Sequence, residues 1–242
     1  MKKYLNFAYR TTQRGSVELV MALIDLSNSM LSDDWPPSRK AAATRANIEL
    51  IQVKAQQHPD DIVGIIGFGT DAKVLHPPVC LREGAGSLCR ALDNLPSMGE
   101  TNFKAALELA ELCLFGKSGS KAALPGKGIS GFLSWLLYNQ NPASNYIRQN
   151  LPSGDCIWRI ILLTDGDYNE GGSPLNFASR LKDAGVVIDC IGIGGSPGEV
   201  KLEKIEEVAS RNPDGSLRYC WIGDQQKLIK KFQSLAHHIR PA

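Results

Sequence analysis

Small oxygen-bearing side chains stand at three separated points of the chain, two where an apolar run ends and one in a loop at the start of a helix. The first is Asp25-Leu26-Ser27-Asn28-Ser29. The second is Thr101, in Gly99-Glu100-Thr101-Asn102, and the third is Asp165, closing Ile160-Ile161-Leu162-Leu163-Thr164-Asp165-Gly166. Alternate residues of an extended chain point the same way, so Asp25, Ser27 and Ser29 are expected to converge on one point. Carboxylate and hydroxyl oxygens without histidine or cysteine suit a hard cation. Mg²⁺ is favoured, Mn²⁺ is able to substitute, and Ca²⁺ suits so compact a ligand set less well.

The elements that must position these residues follow from the apolar pattern. Strand-like runs alternate with helix-period segments, which predicts a Rossmann-like, doubly wound α/β fold: a mostly parallel six-stranded sheet with helices on both faces. Strands are expected at Leu19–Leu26, Ile62–Phe68, Ala72–His76, Trp158–Thr164, Val186–Ile193 and Tyr219–Ile222. The turn Gly69-Thr70-Asp71 is too short for a crossover, so the third strand should run antiparallel at the sheet edge, stopped by Pro77-Pro78.

Helices are expected at Ser38–Gln57, with Ala41, Thr44, Ile48, Ile51 and Ala55 facing the sheet, then at Ser87–Leu95 and Asn102–Phe115. Three more are expected at Pro174–Ala184, with Ser173 as N-cap, at Val200–Arg211, and from Asp224 to the end, burying Leu228, Phe232, Leu235 and Ile239. In such a sheet, ligands sit beyond the carboxyl ends of strands where the winding reverses, and that is where the three segments fall.

Composition bounds the function. The chain has 242 residues, which suits a single domain, with its core at about 16–240 and a polar, Gly- and Pro-punctuated insertion at about 117–155. Its 27 basic and 25 acidic residues give a formal charge of +2, no footprint for nucleic acid or an anionic membrane. Met1-Lys2-Lys3 is not followed by an apolar stretch of signal-peptide length, and the apolar runs are strand-sized, so a cytoplasmic protein is expected. The six cysteines show no CxxC pair, which argues against a zinc site and for buried, reduced thiols.

Asp-x-Ser-x-Ser ending the first strand, Gly-x-Thr-Asn before a helix, and Leu-Leu-Thr-Asp-Gly ending a later strand resemble the metal-ion-dependent adhesion site of von Willebrand factor A domains. The three motifs occur in that family's order, and the resemblance runs from about Ser16 to Ile239 outside the insertion. It implies that Ser27, Ser29 and Thr101 bind the metal through hydroxyls, and that Asp25 and Asp165 act directly or through waters. One coordination position would remain for water or for a partner protein's carboxylate. Neutral hydroxyls leave the cation's charge partly uncancelled, which attracts such a ligand. Many family members carry glycine where this chain has Glu100, a carboxylate that would tighten the metal or compete with an incoming acid.

The implied function is a non-enzymatic, metal-dependent adaptor. Similar stand-alone bacterial intracellular proteins work beside AAA-type ATPases or kinase and phosphatase systems, and nothing here selects among them. The alternative is a Mg²⁺-dependent phosphohydrolase of the haloacid dehalogenase type with Asp25 as nucleophile. That class places a second aspartate two residues on, where this chain has Ser27. An extracellular adhesin would require a leader. Gly116-Lys117-Ser118 follows a helix and lacks the earlier glycine of a phosphate loop, and Gly192–Gly198 lacks dinucleotide spacing.

Overall fold

In a computed structural model, which describes residues 17–115, 156–166, 169–194 and 202–237, the first apolar run forms β1, Val17–Asp25. Its register pairs it in parallel with β2 (Ile62–Phe68) on one side and β4 (Cys156–Thr164) on the other. Beyond β4 lie β5 (Val187–Ile193) and β6 (Tyr219–Ile222), both parallel, while β3 (Ala72–Cys80) pairs antiparallel with β2 at the far edge. The order is β3-β2-β1-β4-β5-β6. Winding runs outward in both directions from β1 and β4, so the reversal lies between those two strands.

The central strands are apolar throughout because both faces are covered. Val20 and Ile24 of β1, with Ile161 and Leu163 of β4, belong to one core. Leu19, Met21 and Leu23, with Ile160 and Leu162, belong to the other. The first core is closed by α1 (Arg39–Gln57), α2 (Leu81–Ala91) and α6 (Gln225–Leu235). The second is closed by α3 (Phe103–Phe115), α4 (Leu175–Asp183) and α5 (Leu202–Val208).

The six-stranded, one-edge-antiparallel architecture is as expected, and several details differ. Strand β3 runs through Pro77-Pro78 to Cys80. Its outer side needs no partner, and register shifts between Val63 and Ile66 of β2 absorb the irregularity. Helix α2 begins six residues earlier than expected, at Leu81, directly from the strand end. Helix α1 buries Ala42, Ala43, Ala46, Asn47, Leu50, Ile51 and Lys54, so of the expected face only Ile51 is fully buried. The buried face is the apolar stripe Ala42, Ala43, Ala46, Leu50 and Ile51, and Lys54 lies on it because Glu18 and Asp61, each at 2.6 Å, pair its charge. Pro174 stands at the N-cap of α4, and the Ser173 hydroxyl accepts only a long bond, 3.4 Å, from Leu175 N–H.

Lys54 belongs to a run of buried charges across the amino-terminal half of the sheet. Arg159 meets Glu18 at 3.4 Å and Asp189 at 2.7 Å, and Arg218 meets Asp189 at 2.9 Å. Arg159 also donates to the Leu235 carbonyl (2.8 Å) and Lys54 to that of Ala236 (3.3 Å), which ties down the end of α6. Cys80, Cys89, Cys113, Cys156, Cys190 and Cys220 are all free thiols. Among the described residues no helix is long and apolar enough to cross a membrane. The expected insertion, and Ile239, lie outside the described residues.

Candidate metal centre

Asp25 is the last residue of β1 and is fully buried. Its Oδ1 accepts from the Ser27 N–H at 2.8 Å, and its Oδ2 accepts from the Thr164 hydroxyl at 2.6 Å. Both oxygens are therefore fixed, one by its own loop and one by the end of β4. Ser27 keeps an extended backbone, but Ser29 does not continue it. The chain turns into a single 3-10 turn, Asn28–Leu31. Convergence of the two hydroxyls, 3.0 Å apart, thus comes from the turn rather than from strand alternation. Ser29 then donates to Asp165 Oδ1 at 2.7 Å, linking the first motif to the third across the reversal point.

Thr101 is placed by backbone bonds from both sides. Met98 N–H donates to the Leu26 carbonyl (2.7 Å) and Asn28 N–H to that of Gly99 (2.8 Å), which lays this loop along the β1 exit. Gly99 has φ +78°, and a Cβ there would stand 2.6 Å from Thr70 Oγ1, so glycine is required on both counts. On the other side Thr101 N–H donates to Asn169 Oδ1 at 2.9 Å, and its carbonyl accepts from Asn169 N–H at 3.1 Å. Thr101 is buried, and its hydroxyl makes no hydrogen bond among the described residues. Asn102 caps α3, its Oδ1 accepting from Ala105 N–H at 3.0 Å. Glu100 points to solvent, where its carboxylate accepts from Asn169 Nδ2 at 2.7 Å.

All five expected residues therefore lie on three segments, the end of β1 with its loop and two further loops, that bond directly to one another. Four further residues were not expected in these roles. Thr164 holds Asp25, and Asn169 clasps Thr101. Arg39, the first residue of α1, reaches Asp165 Oδ2 at 3.1 Å through NH1, while its Nε and NH2 grip Asp34 at 2.9 Å and 2.6 Å. One signal for Arg39 was present in the sequence. An arginine in a helix's first turn opposes the helix dipole, so it asks for an acidic partner. Nothing in the sequence marked Asn169.

The electrostatics follow from burial. Burial, and next the charge of Asp165, push the Asp25 carboxyl up to about 7. Asp165 is also raised, because burial outweighs its bonds from Ser29 and Arg39. Asp34 is held below the usual carboxylate range by the Arg39 guanidinium, and Arg39 is raised in turn, chiefly by Asp34.

A profile of the von Willebrand factor type A domain matches residues 20–124, a span that holds Asp25, Ser27, Ser29 and Thr101. Over those residues the chain matches the von Willebrand factor type A family, and its fold is that of an A domain. The A-domain fold superposes on the SpRpn10 VWA domain with a TM-score of 0.58 at 21% identity, covering 89% of this chain and 93% of that one. It superposes on mussel byssus proximal thread matrix protein 1, in a structure described as having a zinc-occupied MIDAS motif, with a TM-score of 0.60. There the identity is 16%, with 92% of this chain and 48% of that one covered. In sequence it is 28% identical over 211 residues to a 26S proteasome non-ATPase regulatory subunit 4 homolog of Arabidopsis thaliana, across 83% of this chain and 43% of the relative. The chain spans less than half the length of the curated relatives it matches.

The side chains of this A domain fit a divalent cation on their own chemistry. Two buried carboxylates stand close enough for one charge to raise the other's pKa, an imbalance that a cation would relieve. The hydroxyls of Ser27 and Ser29 retain lone pairs beyond their mutual bond, and that of Thr101 is unengaged among the described residues. Every donor is oxygen, as Mg²⁺ and Mn²⁺ prefer.

Proposed function

We propose that the A domain binds a divalent cation, Mg²⁺ with Mn²⁺ as substitute, at Asp25, Ser27, Ser29, Thr101 and Asp165, and uses it to take a carboxylate from a partner protein. The observation that carries this reading is the mutual bonding of the three loops, with Ser27 and Ser29 joined to Asp165 at the sheet reversal and Thr101 clasped beside them. Supporting it, a structurally similar protein is described with zinc in its MIDAS motif, and a curated relative is a homolog of a proteasome regulatory subunit. An adaptor inside the cell, acting beside an AAA-type ATPase or a kinase and phosphatase pair, is the partner setting we favour.

The geometry gives the hydrolase alternative no support. A nucleophilic Asp25 would need an accessible oxygen, and both of its oxygens are buried and engaged. The test is calorimetric titration of EDTA-stripped protein with Mn²⁺ and Mg²⁺ beside Asp165→Ala. Saturable binding to wild type, at least tenfold weaker in the variant with an unchanged melting temperature, is the expected result. No binding to wild type at millimolar metal would overturn the reading.

A further inference from the structure

The contact between Arg39 and Asp165 places a fixed cation against a carboxylate that the proposed function assigns to the metal. Its geometry is over-determined. Arg39 Nε contacts both oxygens of Asp34, at 2.9 Å and 3.1 Å, and NH2 reaches Oδ2 at 2.6 Å, a fork-on-fork pair. The guanidinium plane is thereby set before NH1 extends to Asp165 Oδ2 at 3.1 Å. The Arg39 side chain is 11% exposed and that of Asp165 is 0% exposed, so the contact between them is shielded from solvent. Asp165 is bonded on its other side as well, where Oδ1 accepts from Ser29. Each Asp165 oxygen is thus oriented by one donor, and a direct bond to a cation would have to compete with the Arg39 charge already held against Oδ2.

We infer that Arg39, pinned by Asp34, is a positioning residue that holds the Asp165 carboxylate back from a direct bond to the metal, leaving it to act through water, and so keeps the metal open to a carboxylate from outside. The inference rests on the metal reading of the preceding section. Its physical content is a trade between two ligands for one cation. A direct Asp165 bond would cancel a negative charge's worth of the metal's attraction and fill a coordination position. Arg39 opposes both, because it takes one Asp165 oxygen and adds a positive charge beside the site. The resident cation is bound less tightly as a result, and an incoming carboxylate more tightly. Asp34 serves Arg39 rather than the metal, and it offsets the unfavourable placement of a cation at the start of α1.

The test uses the whole protein, Mn²⁺ as the metal and acetate as the carboxylate. Mn²⁺ affinity is read by calorimetry, and the number of exchangeable waters on bound Mn²⁺ by water-proton relaxation, for wild type, Arg39→Gln, Arg39→Lys and Arg39→Gln/Asp165→Asn. In Arg39→Gln, Mn²⁺ should bind about five- to tenfold tighter, with about one fewer exchangeable water and weaker acetate binding. Arg39→Lys keeps the charge without the fork and should fall between. The double variant should lose the gain. Thermal melts separate these effects from instability, since a merely structural role would lower the melting temperature and leave the water count unchanged. Equal or weaker Mn²⁺ binding in Arg39→Gln, with the water count unchanged, overturns the inference while leaving the metal reading intact. Absence of Mn²⁺ binding in wild type and in all variants overturns both.

Discussion

At the scale of single residues, the site separates groups that hold from groups that are left to bind. Asp25 is held at both oxygens, by the Ser27 N–H and the Thr164 hydroxyl, and Asn169 holds the backbone of Thr101. The hydroxyl of the buried residue Thr101 makes no hydrogen bond among the described residues, so it is left to bind. Thr101→Val removes that oxygen at nearly constant shape. It should cost the fold less than about 1 kcal/mol, since no hydrogen bond among the described residues is broken. Mn²⁺ affinity should nevertheless fall about tenfold or more, one hard-oxygen ligand being lost. Calorimetry beside a thermal melt checks both halves; a large loss of stability with unchanged affinity would make Thr101 a structural residue. The motif residues were legible because aspartate, serine and threonine at strand ends stand out against apolar runs. The residues that steady them were not, because a lone arginine or asparagine in a loop has too many ordinary uses.

At the scale of elements, the site depends on three loops keeping their spacing, and Gly99 is the tightest point among them. Its φ of +78° disfavours any side chain, and the 2.6 Å approach to Thr70 Oγ1 leaves no room for one. Gly99→Ala should therefore cost about 1–3 kcal/mol in urea unfolding. It should also weaken Mn²⁺ binding, because the strain is relieved by moving the loop that carries Thr101. Wild-type affinity in a destabilised Gly99→Ala would show that the loop's position does not matter to the metal. Element types and order were readable from apolar periodicity, whereas element ends were not. Strand β3 passes through two prolines because its outer edge asks for no donor, and α2 starts where that strand stops. Both outcomes depend on which neighbour the strand has, which periodicity does not record.

At the scale of the whole molecule, the two ends of the sheet have different tasks. The carboxyl end carries the candidate centre, and the opposite half carries the buried charges that join α1, the sheet and the end of α6. Lys54→Met removes a cation lying 2.6 Å from each of two buried carboxylates. The expected loss is about 3–5 kcal/mol of stability. Mn²⁺ affinity of the folded protein should stay within about twofold of wild type, since the metal residues lie at the other end of the sheet. Chemical denaturation with parallel titration checks this. A coupled loss of affinity would mean that the charge network reaches the site.

From the sequence alone came the layered fold and the five candidate ligands, because those depend on patterns that repeat locally. Apolar alternation marks a covered strand, and oxygen-bearing residues at its end mark what the strand presents. Tertiary structure decided what depends on partners distant in sequence. It gave Lys54 the buried partners that let it lie on the inner face of α1, and it placed Ser29 by a turn rather than by extension. It also set Arg39, from the start of a helix, against Asp165, 126 residues away. A charge placed in the chain states what it needs but not where it will find it, and only the folded arrangement supplies the partner.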